Sequence, residues 1–275
     1  MNTHSLVEKN YNQKKADFEE AVLKELPQII ALQEVNQTCG AEVISKDELN
    51  DYVPCDSETI IREDNHIYNI AKALKEKGVR YYWTWLPIKK GYDKYDEGIG
   101  IMSRSPIKDT KIITVSSMDD YSNWKTRKII GICTEEAPEE WFYSVHFGWW
   151  EDEDDTFEAQ WNKAQAQWTE ENRVWIMGDF NNPAEILGEG YDLVKKSDWA
   201  DGYVCAEEKD NGFTVEEVID GWKDKIKDTN GMRLDQIWCN KEIKVKSSKV
   251  VFNGKDYPVV SDHYGVLIDY ERNIE

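Results

Sequence analysis

The sequence predicts an α+β fold in which β-sheets pack on one another and helices cover the outside. Three observations lead there. Short runs rich in strand formers recur along the whole chain. Only a few segments have helical spacing. Strands and helices do not alternate strictly, which disfavours a doubly wound parallel sheet.

The elements follow in order. Val7, Tyr11, Phe18, Val22, Leu23 and Leu26 recur at helical spacing and Pro27 follows, so 7–26 reads as a helix. QIIALQEV is too short an apolar run for a helix and reads as a buried strand ending at Glu34. Residues 38–60 are polar and irregular. Asp64 or Asn65 caps a helix that runs to Lys77 and stops at Gly78. VRYYWTWLPI, GIGIMSR, KIITV, KIIGICT and WFYSVHF follow as strands. An acidic helix is expected over 151–172. RVWIMGDF is a strand, and Pro183 is placed to open a short helix after it. The region 187–232 carries no clear pattern. RLDQIWCN, KVVFN and YGVLIDY close the chain as strands.

Composition narrows the function. At 275 residues, one domain over 1–275 is the simplest reading, since no linker, repeat or low-complexity tract divides it. With 34 basic and 54 acidic residues the net charge is −20. Such a surface repels polyanions, so nucleic acid is an unfavoured partner. No apolar run spans a bilayer and the N-terminus has no leader-like apolar stretch, so a cytoplasmic protein without membrane contact is expected. The five cysteines are odd in number and lack a CxxC, which argues for free thiols rather than disulfides or a zinc site.

Ionisable residues gather at strand ends. Glu34 ends QIIALQE, His146 ends WFYSVH, and Asp179 and Asn181 follow RVWIMG. Asp235 starts DQIW, and Asp262 and His263 precede YGVLIDY. Singly, each has an ordinary structural reading as a turn cap, a loop residue or a bonded core histidine. Jointly they mark an active-site rim held by a rigid scaffold.

PQIIALQEV, DEGIGIMSRSPI, YSVHF, WIMGDFNNPAE, RLDQIWCN and SDHYGVLIDY, in this order, resemble the endonuclease/exonuclease/phosphatase superfamily with the DNase I-like fold. The resemblance spans Asn2 to Tyr270 and implies a four-layer αββα sandwich. It also implies a divalent metal, magnesium or alternatively manganese, at Glu34, with Asn2 beside it and Asp262 at its edge. By the same resemblance Asp179 handles the attacking water and Asn181 donates to a phosphoryl oxygen. His263 sits on the phosphate, positioned by Asp235. His146 is the second phosphate-facing histidine, paired with Glu97, and Arg127 contacts the phosphate. A phosphoester under attack needs such a cation, donors and a placed water.

Within the superfamily, NTHS, YDEGIGIMSR, YSVHFGWW and PVVSDHYGVLIDY look most like the bacterial maltose 6'-phosphate phosphatases. This implies a small phosphorylated sugar as substrate, with Trp149 as a stacking face and Trp83, Trp85, Trp124 and Trp150 near other motifs. The alternatives are a phosphodiesterase of nuclease or sphingomyelinase type, and a non-catalytic binding protein. Members carry a strand directly before the NTHS-like segment, whereas here Met1 precedes Asn2. The expected consequence is an unpaired sheet edge and a weakly held Asn2.

Overall fold

The computed structural model describes residues 1–169, 171–216 and 231–272. Its helices are α1 (Tyr11–Glu25), α2 (His66–Glu76), α3 (Phe157–Ala166), α4 (Gly190–Lys196) and the single turn α5 (Gly202–Cys205). Its strands are β1 (Ile29–Thr38), β2 (Tyr82–Gly91), β3 (Tyr95–Ser103), β4 (Ile107–Thr114), β5 (Lys128–Thr134) and β6 (Glu140–His146). They continue with β7 (Arg173–Asp179), β8 (Ala200–Asp201), β9 (Ala206–Lys209), β10 (Asp235–Cys239), β11 (Lys244–Val251) and β12 (Gly265–Glu271). The strands form three sheets, ordered β1-β3-β2, β12-β11-β9 and β4-β5-β6-β7-β10-β8.

The layers follow from which faces are apolar. Phe18 and Val22 of α1 and Ile70 and Leu74 of α2 pack on β1 and β2 through Leu32, Trp83 and Trp85. Ile99, Ile101, Ile130, Ile132, Phe142 and Trp175 fill the space between the sheets. Trp161 of α3 and Tyr191 and Val194 of α4 cover the outer face of the six-stranded sheet. The result is helix, sheet, sheet, helix. A polar tie crosses the apolar layer: Gln33 Nε2 donates to Ser144 Oγ at 2.8 Å, and that hydroxyl donates to Leu32 O at 3.1 Å.

Several local expectations need correction. Helix α3 begins only after Thr156, whose hydroxyl accepts from Ala159 N–H. The acidic run before it is a loop, because Asp152 accepts from the backbone N–H groups of Asp154 and Asp155 and from Lys125. Pro183 opens a turn, not a helix. Ala184 N–H donates to Arg233 O and Glu185 accepts from Arg233 N–H, which pins the segment to the strand region beside it. Trp83 and Trp85 are wholly buried core residues. Helix α4 and the short strands β8 and β9 fall in the region without a sequence pattern, of which 217–230 lies outside the described residues. Among the described residues no helix is long and apolar enough to cross a membrane.

The sheet edge near the N-terminus is open, yet Asn2 is not weakly held. Met1 donates its ammonium to Ala31 O at 2.9 Å, Gln33 N–H donates to Met1 O, and Thr3 N–H donates to Gln33 O at 2.9 Å. This parallel pairing leaves Asn2 only 2% exposed. Beyond it, β1 and β12 are both edge strands that line one cleft of about 750 Å³. Phe18, Val22, Ile30, Leu32, Phe252 and Leu267 make its wall apolar. Burial holds the Met1 amine below its usual range, against the pull of Asp235 and Asp179.

One prediction concerns His66, which is buried, hydrogen-bonded to Tyr11 at 2.9 Å, and pushed by burial down to about 3. A histidine depressed in the folded state contributes stability above its unfolded value near 6.5 and loses it as pH falls toward 3. Urea unfolding across pH 7 to 4 should show a slope smaller by about 1.4 kcal/mol per pH unit in His66→Gln than in the wild type.

Candidate active site

The six-stranded sheet lines up three ionisable residues on one rung. His146 ends β6 opposite Asp179 at the end of β7, and Asp235 opens β10 opposite the same Asp179. Gly178 permits this. Its φ is +147°, and a Cβ there would lie 2.1 Å from Val145 O and 2.7 Å from Gln33 Nε2. The loop before β12 adds His263, whose Nδ1 lies 2.8 Å from Asp235 Oδ2. Asp179 Oδ2 then sits between two imidazoles, 3.7 Å from His146 Nε2 and 3.8 Å from His263 Nε2. Asn181 N–H donates to Asp179 Oδ1 at 2.8 Å, and Asn181 Nδ2 donates to Phe147 O.

The first sheet delivers the facing groups. Gln33 and Glu34 form a bulge in β1: the pairing with β3 jumps from Leu32↔Gly100 to Val35↔Gly98. Glu34 takes φ 51° there, a left-handed conformation uncommon for a non-glycine residue. The bulge re-aims its carboxylate toward the second sheet, where Asn2 links the two. Asn2 Nδ2 donates to Glu34 Oε1 at 2.7 Å and to Asp179 Oδ2 at 3.2 Å, and Asn2 N–H donates to Asp235 Oδ1. The Asn2 side-chain oxygen accepts from His4 N–H, so in this arrangement Asn2 bridges carboxylates as a donor.

Electrostatics divides the two histidines. Burial alone would lower His263, but Asp235 and Asp179 outweigh it and raise it to about 10, so the ring is cationic. Burial pushes His146 well below its usual value, and Arg127, Lys89 and His263 push the same way. His146 is therefore a neutral imidazole. Burial, then Glu97, raises Glu34 to about 7. Burial also raises Asp179, opposed by His263. Glu34, half-buried and facing the second sheet, offers a hard carboxylate oxygen of the kind a divalent cation takes.

The structure brings together Asn2, Glu34, Asp179, Asp235, His146 and His263, with Asn181 beside them. The expected Glu97–His146 pair does not form. Glu97 stands directly across from Lys89 in the β2–β3 register, and Lys89 Nζ takes its carboxylate at 3.1 Å. Asp262 lies at the rim, 44% exposed in its side chain and 4.0 Å from His4 Nδ1, outside the buried set. Arg127 is buried near Glu97, Asp179 and Glu34, and its Nε has no acceptor among the described residues. Trp149 packs on Trp124 with ring centroids 5.7 Å apart.

Lys89, His4 and Thr214 were not found by sequence reasoning. The Thr214 hydroxyl accepts from the N–H groups of Leu234 and Asp235, fixing the start of β10. Lys89 could have been found only from strand register. Replacing it by Met should strand the Glu97 carboxylate and cost about 3 kcal/mol of stability. The double variant Lys89→Met/Glu97→Gln should recover more than half of that loss, read by urea unfolding.

Comparison with known proteins matches this geometry to a family. No curated protein matches the chain significantly. A family model described as Endonuclease/Exonuclease/phosphatase family matches residues 2–263. Among solved structures, an endonuclease/exonuclease/phosphatase family protein from Leptotrichia buccalis is 30% identical with a TM-score of 0.85, covering 98% of this chain and 97% of that one. A mannosyl-6-phosphatase from Bacteroides thetaiotaomicron shares the fold at 17% identity and TM-score 0.63, covering 95% and 91%. A 3' phosphatase from Neisseria, solved with a product DNA hairpin, does so at 17% identity and TM-score 0.62, covering 98% and 97%. Members of this family are metal-dependent hydrolases of phosphoesters, and this chain belongs to the endonuclease/exonuclease/phosphatase family.

Proposed function

We propose that this protein is a magnesium-dependent phosphomonoesterase of the cytoplasm that acts on a small phosphorylated sugar, maltose 6'-phosphate or a close analogue. The observation that carries the reading is the His146–Asp179–Asp235 rung with His263 locked on Asp235 and Glu34 facing it. Magnesium held at Glu34, beside the Asn2 amide, would supply charge to the phosphoryl oxygens and leaving oxygen. His263, cationic and fixed by Asp235, holds a non-bridging oxygen through Nε2. His146, neutral, donates to a second. Asn181 and the free Arg127 Nε face a third. The Asp179 carboxylate, between both rings, orients the attacking water and takes its proton.

The charge of −20 supports a small substrate over a polymer. The solved neighbours include both a sugar phosphatase and a DNA-end phosphatase, so the substrate class rests on charge and motif resemblance. All five cysteines are free thiols, which suits a reducing compartment.

Phosphate release from maltose 6'-phosphate, other sugar phosphates and a 3'-phosphorylated oligonucleotide, with magnesium or EDTA, tests this. Chelator-sensitive release from a sugar ester is expected to exceed release from the oligonucleotide. Asp179→Asn should lower kcat by about 10³-fold or more while the protein stays folded by circular dichroism. No chelator-sensitive release from any sugar phosphate would overturn the assignment.

A further inference from the structure

Two aromatic side chains stand open beside the cluster, and each is tied to it by polar contacts. Trp124 is 52% exposed and Tyr92 is 61% exposed. The carbonyl of Trp124 accepts from Lys89 Nζ at 2.9 Å and from Arg127 Nη1 at 3.1 Å. Two buried cations of the site thus clamp the backbone that carries the ring. Trp149 supports that ring at 57° and itself packs on the small cluster of Val215, Met232 and Leu234.

Tyr92 occupies the tip of the β2–β3 hairpin. Its φ of 51° is unfavourable for a bulky side chain, and its exposure shows that core packing does not compensate. Its ring meets Tyr95 edge-on, and its hydroxyl lies 3.0 Å from His4 Nε2. His4 Nδ1 is 2.8 Å from Glu8, and Asp262, next to His263, is 4.0 Å away. The Tyr92 hydroxyl is therefore fixed by His4, whose other ring nitrogen faces Glu8 and lies 4.0 Å from Asp262, the residue before His263.

We propose that Trp124 and Tyr92 form the leaving-group subsite of this enzyme, with the Trp124 indole against the C–H face of a pyranose ring and the Tyr92–His4 pair on its hydroxyls. This rests on the phosphomonoesterase reading above. Polar groups around the rings select the ligand. Glu8, itself paired with Lys14, and Asp262 flank His4, and Lys125, 5.7 Å over the Trp124 ring, is held by Asp152 and Asp154. Carboxylates accept from sugar hydroxyls, and the cation beside the indole is engaged by acids rather than offered to a phosphate backbone, so a neutral polyol fits better than a nucleotide chain. A plain aromatic patch would stack a nucleobase as readily.

The test compares a pyranose 6-phosphate with glycerol phosphate, a primary phosphomonoester without a ring. In Trp124→Ala the preference for the ring ester, as a ratio of kcat/KM values, should fall about 10-fold, mostly through KM. Trp124→Phe should fall less, and Tyr92→Phe should raise KM for the ring ester several-fold. Equal losses on both esters, or an unchanged ratio, overturn the subsite. Tryptophan fluorescence titrated with the unphosphorylated disaccharide gives a second readout. Quenching in the wild type but not in Trp124→Phe supports the subsite even if no ester is hydrolysed, which separates its failure from that of the phosphatase reading. Stronger quenching by a single-stranded oligonucleotide than by the disaccharide overturns it.

Discussion

Burying carboxylates close together is the constraint on which the site depends. Glu34, Glu97, Asp179 and Asp235 all lie in the seam where the two sheets meet. Each would cost several kcal/mol if left desolvated and unpaired. The chain answers each one separately. Asp235 is compensated by His263 and Glu97 by Lys89; Glu34 and Asp179 share the Asn2 amide, and Asp179 also accepts from Asn181 N–H and lies 3.8 Å from His263 Nε2. Burial, then Glu97, raises the proton affinity of Glu34, and burial raises that of Asp179 against the pull of His263. Hard oxygen ligands in such a setting are what a divalent cation takes, which is why the metal position is proposed at Glu34.

Much of the site was legible because its residues sit at strand ends within short local motifs. GDFN and SDH place Asp179 on the last residue of β7 and His263 in the loop before β12, as expected, and the strands were readable from their apolar runs, whereas β1 does not end at Glu34 but continues to Thr38. Helices outside packed sheets were legible from the apolar spacing of α1, α2 and α3, while α4 lies where the sequence shows no pattern. What was not legible depends on register. The Glu34 bulge requires knowing that Gln33 and Glu34 together oppose one residue of β3. The capture of Glu97 by Lys89 requires the β2–β3 alignment, which a one-residue slip would abolish. Trp83 and Trp85 looked available because they neighbour rim motifs, yet they are core residues.

Asn2 is the residue that ties the two sheets together at the site. It bridges Glu34 to Asp179 from a segment held to β1 by three parallel hydrogen bonds, beside the apolar cleft that β1 and β12 line. The position of the bridging amide is therefore set by how firmly that segment pairs with Ala31 and Gln33.

The two histidines show how one rung yields two different donors. His146 and His263 approach the same Asp179 oxygen at nearly equal distances, 3.7 and 3.8 Å. Distance to that carboxylate thus cannot set their charge states. The difference comes from the opposite side of each ring. His263 has Asp235 behind it, delivered by β10, and becomes cationic. His146 is held neutral first by burial, with Arg127, just before β5, and Lys89 of β2 pushing the same way. Lys89 also holds Glu97, so the acid that sequence reasoning paired with His146 is engaged on the other strand of its own hairpin. A fixed cation and a neutral imidazole on either side of the Asp179 carboxylate give graded positive potential without a second protonated ring, which the repulsion between two buried imidazolium ions would oppose.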